Sequence, residues 1–371
     1  MKPIAHCLVA LGLLHFAWLA SAAAKDITPT SDRQVIEVLP QRIRTSAPTP
    51  EAAALAARQA ITLARKTSDV RYLGRAQATL QRWWDKADAP VELAVLQATV
   101  QQSRHEFSAA KKTLVAALER DPKHAQGWLT LATIERLSGN YAGALSACAA
   151  VQSTGAVLYA SACELETLSL QGRHDAARSG LLALLRSTPD PANQAWLWSL
   201  AGENEERSGR DWAALAAYKS SLALTPDGYT ALAAADLLLR TSQAAAVVEL
   251  LARESDSDAV LLRRAYAAKL QGKLDWQDMA KQLKERITAL DQRGDDPATH
   301  ARERALMHLW LDADGLRALE SAKLNLTLQK EPFDWWLALK SAQLAAQPAE
   351  IDSLKKQITT LGLKDARLDK P

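Results

Sequence analysis

A spacing of about 34 residues recurs from Val91 to Gly228, and it restricts the chain to architectures made by stacking one small unit. Prolines follow Asp121, Thr188 and Thr225 near the ends of units, and Gly139, Gly172 and Gly209 fall at a shared offset in their middles. Ala110, Ala144, Ala177 and Ala214 align between those marks. Glycine accepts turn dihedrals and proline cannot continue a helix, so each unit reads as a helix, a tight turn, an antiparallel second helix and a stop. Small residues on both helices let two backbones approach, while large ones fill the gaps between turns. The pattern specifies an all-α array.

The unit Val91–His124 carries Ala98, Phe107, Ala110, Leu114, Ala117 and Pro122 in register. Ala125–Leu158 adds Trp128, Leu131, Ala132, Gly139, Tyr141 and Ala144, and Ala195–Gly228 adds Trp198, Gly202, Gly209, Ala214, Tyr218 and Pro226. These positions resemble the tetratricopeptide repeat, with its Trp, Leu-Gly, Tyr, Ala, Phe, Ala and Pro pattern. The segments Arg71-Tyr72-Leu73-Gly74-Arg75-Ala76-Gln77, Trp83-Trp84 and Gln101–Phe107 are similar to those of exported bacterial tetratricopeptide proteins. The resemblance implies a right-handed superhelical solenoid of antiparallel helical hairpins that binds a protein or peptide on its concave face. One departure stands out: Leu165 occupies a position that is usually small.

Met1–Ala24 has the parts of a secretory signal, with Lys2, an apolar run from Cys7 to Ala20 and a small-residue exit at Ser21–Ala24. The expectation is export to a bacterial periplasm with cleavage after Ala23 or Ala24. After cleavage no stable membrane insertion is expected, because no later segment reaches about 18 uninterrupted apolar residues. Residues 25–50 read as an extended leader whose Val35–Leu39 patch docks on the first helices. The array proper reads from 51 to 291, and degenerate hairpins with a cap from 292 to 371, giving about eight or nine hairpins in all. Gln292–Pro297, rich in Asp and ending in Pro, is the hinge candidate.

Hydrophobic residues make up 48% of the 371, enough for a continuous core; charged residues make up 23%, with a formal net charge of +3. That balance does not propose nucleic acid as a partner. Histidines 105, 124, 174, 300 and 308 do not cluster, and the eight-residue interval between His300 and His308 is wide of the i, i+4 spacing of a shared metal. His124 and His174 stand where capping histidines are ordinary. Ser108-Ala109-Ala110-Lys111 matches Ser-x-x-Lys in letters, but Ala110 is a packing position and the companion motifs are absent. No nucleophile, base and orienter converge in a readable motif, so the chain reads as non-catalytic, with no cofactor and no metal.

Beyond the signal only Cys148 and Cys163 remain, on the second helix of one unit and the first of the next. In an oxidising compartment they are either a disulfide or two buried small hydrophobes. The concave face in this frame includes Arg65, Gln102, Gln126, Thr130, Thr133, Arg136, Glu166, Glu203 and Glu206. Arg58 and Arg65 at one end and the glutamates farther along read either as a basic-to-acidic gradient or as simple solvated charge. The Lys/Asn set that clamps a C-terminal carboxylate in some tetratricopeptide proteins has no match, so that ligand is not implied. In Trp83-Trp84 and Trp335-Trp336 two adjacent helix positions cannot both face one core, so one of each pair can reach a groove. A second reading makes the chain an assembly factor or regulatory subunit of an envelope enzyme or transporter, touching it through the convex face or the C-terminal hairpins.

Overall fold

The computed structural model describes residues 49–67, 69–294 and 296–369. The signal-like segment and the Val35–Leu39 patch lie outside the described residues. Alternating helices and tight turns produce nine hairpins among them, with no strand. The first five pair α1 (Pro50–Thr67) with α2 (Arg71–Leu80), α3 (Val91–Ser103) with α4 (Phe107–Arg120), α5 (Ala125–Leu137) with α6 (Tyr141–Ser153), α7 (Val157–Leu170) with α8 (His174–Ser187), and α9 (Pro191–Arg207) with α10 (Asp211–Leu224). Then come α11 (Gly228–Arg240) with α12 (Ala244–Leu250) and α13 (Asp258–Leu270) with α14 (Trp276–Arg293). In the eighth, a 3-10 turn (Pro297–His300) leads into α15 (Ala301–Met307), which continues as a π-helical segment (His308–Asp312) before α16 (Gly315–Leu328). The ninth pairs α17 (Pro332–Leu344) with α18 (Pro348–Leu361), and α19 (Ala366–Asp369) caps the array.

The alanine register is the physical basis of the hairpins. Ala110, Ala144, Ala177 and Ala214 are each at 0% exposure, where the second helix of a unit crosses the first. A larger side chain there would push the two axes apart. Leu165 is accommodated from the other side: a Cβ on Gly180 of α8 would stand 2.5 Å from a Leu165 methyl. The small residue has moved to the facing helix. Helix starts are fixed by Asn140, Asp190, Asp227 and Asp314, whose side chains each accept a backbone N–H of the first turn. His124 caps α5 in the same way, accepting from the Gly127 amide at 3.1 Å while its other ring nitrogen sits 3.0 Å from Glu92.

The odd-numbered helices pack on one another in succession, as α1–α3, α3–α5, α5–α7, α7–α9, α11–α13, α13–α15 and α15–α17, and so form the tightly curved inner layer. The core follows the array as successive apolar clusters, and one of them joins buried residues from Ala214 to Leu368, on both sides of the Gln292–Pro297 region, with Tyr141 and Leu170. It reaches back to Tyr141 because the superhelix closes on itself. The Lys330 amide donates to Leu137 O at 2.7 Å and the Lys364 amide to Leu170 O at 2.9 Å, so residues near the C-terminus satisfy the free carbonyls at the ends of α5 and α7. Leu361, Lys364 and Ala366 lie over the turn glycines Gly139, Gly172 and Gly209 in turn. All three glycines have positive φ, so the turn and the close approach both require a residue without a side chain. At the other end of the seam Ser255 donates to Thr67 O.

Cys148 and Cys163 are joined, with Cα atoms 5.6 Å apart, and tie the third hairpin to the fourth. Loop-closure entropy for a bridge of this span predicts that reduction costs about 3 kcal/mol. Urea unfolding with and without reductant measures this. An unchanged midpoint, with two free thiols on unreduced denatured protein, would mean that the bridge is not formed.

Candidate functional site

The inner layer carries charge where the core of a single domain would be apolar. On α5 and α7, Arg136 meets Glu166 at 2.8 Å, and Arg136 also contacts Thr133 Oγ1 at 3.2 Å and Cys163 Sγ at 3.6 Å. On α9, Glu203 is bound by Arg207 one turn away and by Tyr229 Oη from α11 at 2.9 Å. Glu206 accepts from Tyr218 Oη at 3.0 Å and pairs with Arg240 at 3.3 Å and Arg367 at 3.1 Å. Asp236 takes both arms of Arg263, at 2.7 and 2.8 Å. Asp334 takes Arg302 at 2.8 and 2.9 Å, Asn325 Nδ2 at 2.6 Å and the Glu331 amide at 2.9 Å.

These contacts correct one sequence-based expectation. No basic-to-acidic gradient survives in the third to fifth hairpins, and the charges there are not simply solvated, because Arg136 neutralises Glu166 and Arg207 neutralises Glu203 at low exposure. Arg136, Thr133, Glu166 and Glu203 fall on adjoining inner helices; Gln126 starts α5 and hydrogen-bonds Thr130 at 3.3 Å. Gln102 sits half-buried at the end of α3. Arg65 reaches water from α1 but is hemmed in by protein: burial pulls its pKa down, opposed by Asp227. Tyr229 is 54% exposed and yet its phenol is pushed well up, first by the Glu203 charge and then by burial. Arg65 and Tyr229 thus both reach water from the inner layer of helices.

The Asp236–Arg263 and Asp334–Arg302 pairs were not read from the sequence. Their partners lie 27 and 32 residues apart, close to one repeat. Applying the period to opposite charges, and not only to apolar positions, would have found them. Contrary to the expectation for adjacent helix positions, Trp335 and Trp336 both belong to one buried cluster, at 1% and 9% exposure; Trp336 also stacks on Phe333 with ring centroids 5.2 Å apart and lines a cavity. Both Trp83 and Trp84 pack against the first apolar cluster, half-buried. His300 lies in the 3-10 turn and His308 opens the π segment, where it meets Asp312 at 3.0 Å.

No protein-family model matches the sequence, and no curated protein matches it. Among solved structures, the chain is similar to a Rap protein complexed with competence and sporulation factor, at 11% identity and a TM-score of 0.54 over 84% of this chain and 86% of that one. A tetratricopeptide repeat protein of Parabacteroides merdae aligns at 15% identity and a TM-score of 0.39, over 68% of this chain and 98% of that one. Pseudomonas aeruginosa PilF aligns at 21% identity and a TM-score of 0.39, over 54% of this chain and 92% of that one. By its fold the chain is a tetratricopeptide-type repeat protein, an all-α helical solenoid.

Arg302→Met strands a buried carboxylate and should cost about 3–5 kcal/mol. Adding Asp334→Asn should recover part of that loss, so a double-mutant cycle by urea unfolding reads the coupling; strict additivity would mean no pair. A second expectation concerns Tyr141, whose buried hydroxyl has no partner among the described residues and whose phenol burial pushes up to about 12. The unfolded phenol ionises near its ordinary value of 10.0 while the folded one keeps its proton. Stability is therefore lost as pH rises from 10.0 toward about 12. Tyr141→Phe should remove that loss and add about 1 kcal/mol at neutral pH. Unfolding midpoints on either side of the phenol's ordinary pKa test both.

Proposed function

We propose that this chain is a non-catalytic protein-binding scaffold of the bacterial cell envelope, which holds a peptide or protein segment against its inner layer of helices. The observation that carries the reading is the run of polar side chains on successive inner helices, Arg136 on α5, Glu166 on α7, Glu203 on α9 and Tyr229 on α11, with Tyr229 and Arg65 reaching water. Export is supported by the signal-like N-terminus and by the Cys148–Cys163 bridge, since such bridges persist in oxidising compartments. The Rap protein that shares the fold is complexed with competence and sporulation factor, which supports a segment-binding role for this array.

A photo-crosslinking residue placed at Tyr229 in the exported protein should capture a partner, while one at Val115, 42% exposed on α4, should not. The second reading, a subunit or assembly factor that docks through the convex face or the C-terminal hairpins, has its own support in Trp212 and Leu274, 81% and 79% exposed beside hairpin turns. Capture through Trp212 with none through Tyr229 would replace the first reading with the second.

A further inference from the structure

A cavity of about 780 Å³ opens between the ends of α9, α11 and α13, the π segment, α17 and α19. That volume suits a bound small molecule or a pair of side chains and far exceeds a packing defect. One wall is a single face of α17: Phe333, Trp336 and Lys340 follow one another at helical spacing, with Gln343 and the exposed Leu344 at the rim. The facing wall is Tyr266 of α13 stacked on Trp310, their rings 5° from parallel and 4.7 Å apart.

Trp310 reaches that position through the π segment. The widened turn leaves the carbonyls of Trp310 and Leu311 for Lys269 Nζ, 2.9 Å from each, and Ala313 ends the segment with φ 53. Single π turns inside helices concentrate at functional sites, and this one aims an aromatic ring into a cavity.

The charges of the cavity define what would complete it. Glu206 is held by Arg240 and Arg367, Asp211 by Arg240 at 2.6 Å, and Asp236 by Arg263 at 2.7 Å, so every lining carboxylate is already neutralised. Lys340 has no carboxylate partner among the described residues. An ammonium with spare donors beside aromatic walls is complementary to an anion attached to a ring.

We propose that this cavity binds a ligand in which an aromatic ring stands next to a carboxylate, the ring against the Tyr266 and Phe333–Trp336 walls and the carboxylate on Lys340. This chemistry occurs both in small aromatic acids and in adjacent acidic and aromatic residues of a peptide. The site does not include Tyr229 and stands whether or not a partner binds there.

Calorimetric titration of the full chain with four probes tests it: N-acetyltryptophan, its uncharged amide, an amidated peptide with Asp beside Trp, and the same peptide with Asn for Asp. Each carboxylate probe that binds should do so about tenfold more tightly than its neutral counterpart, the ratio expected of one charge-assisted hydrogen bond. Lys340→Met should abolish that preference and leave the neutral probes unchanged. Leu344→Glu, on the exposed rim, should weaken the carboxylate probes by repulsion with an unchanged melting temperature. Binding of N-acetyltryptophan would assign the site to a small acid, and binding of the Asp peptide alone to a peptide; either supports the proposal. Equal affinity for charged and neutral probes, retention of the preference in Lys340→Met, or no binding by any probe at about 1 mM would overturn it.

Discussion

Two backbone amides, those of Lys330 and Lys364, hold the superhelix closed by binding the last carbonyls of α5 and α7. Helix ends leave such carbonyls free, and in an open solenoid water would take them. Here the loops on either side of the ninth hairpin take them instead. The approach is possible because the turns end in glycine: a Cβ at Gly139 would lie 2.8 Å from Leu361, and one at Gly172 would lie 2.9 Å from Lys364. The turn glycines thus satisfy two demands, a left-handed backbone and a bare surface. The aromatic cavity, which Ala366 and Arg367 line, and the long C-terminal core cluster both involve this seam.

Closure also explains the pairing of charges. In an open array the inner helices would bathe their polar side chains in water, and isolated charges would be tolerable. Once the ninth hairpin lies against the third to fifth, water is scarcer and each charge needs a partner, because desolvation of an unpaired ion outweighs what packing returns. Glu206 shows the outcome most fully, gathering Tyr218 from its own hairpin, Arg240 from the next and Arg367 from the cap. A contact shared by three elements distant in sequence fixes their register as a hydrophobic surface alone would not.

Much of the fold was legible because it is periodic. Ala110, Ala144, Ala177 and Ala214 recur for a reason that belongs to every unit, and their register located the hairpins before any coordinates. Features used once were not legible. The π segment arises where one turn of the eighth hairpin widens under Trp310, and nothing in His308–Asp312 marks it. The seam is made by Lys330 and Lys364, residues of the least periodic part, acting through backbone atoms that carry no sequence signature. Leu165 was visible as an exception, but its explanation lay in Gly180, whose small size reads as a helix weakness until the two are seen together. Likewise the inner charges are visible singly in the sequence, while the pairing of Asp236 with Arg263 and of Asp334 with Arg302 spans nearly one repeat.

The seam sets the terms on which anything can occupy the inner layer. A chain segment reaching Tyr229 must come along the inner layer of helices or pass between the capping residues and the turns they cover. The second route disrupts the Lys330 and Lys364 amide bonds and the Arg367–Glu206 pair, whereas the α17–α18 packing that holds Trp335 at 1% exposure can stay intact. That route also uncovers Leu361, which lies over Gly139, and the buried Leu363 and Leu368, so opening the seam exposes apolar surface in addition to the polar contacts it breaks. A segment taking that route would have to cover this apolar surface as well as supply acceptors to the donors that opening releases. The glycine turns that let the cap approach would then offer the same bare surface to whatever replaces it.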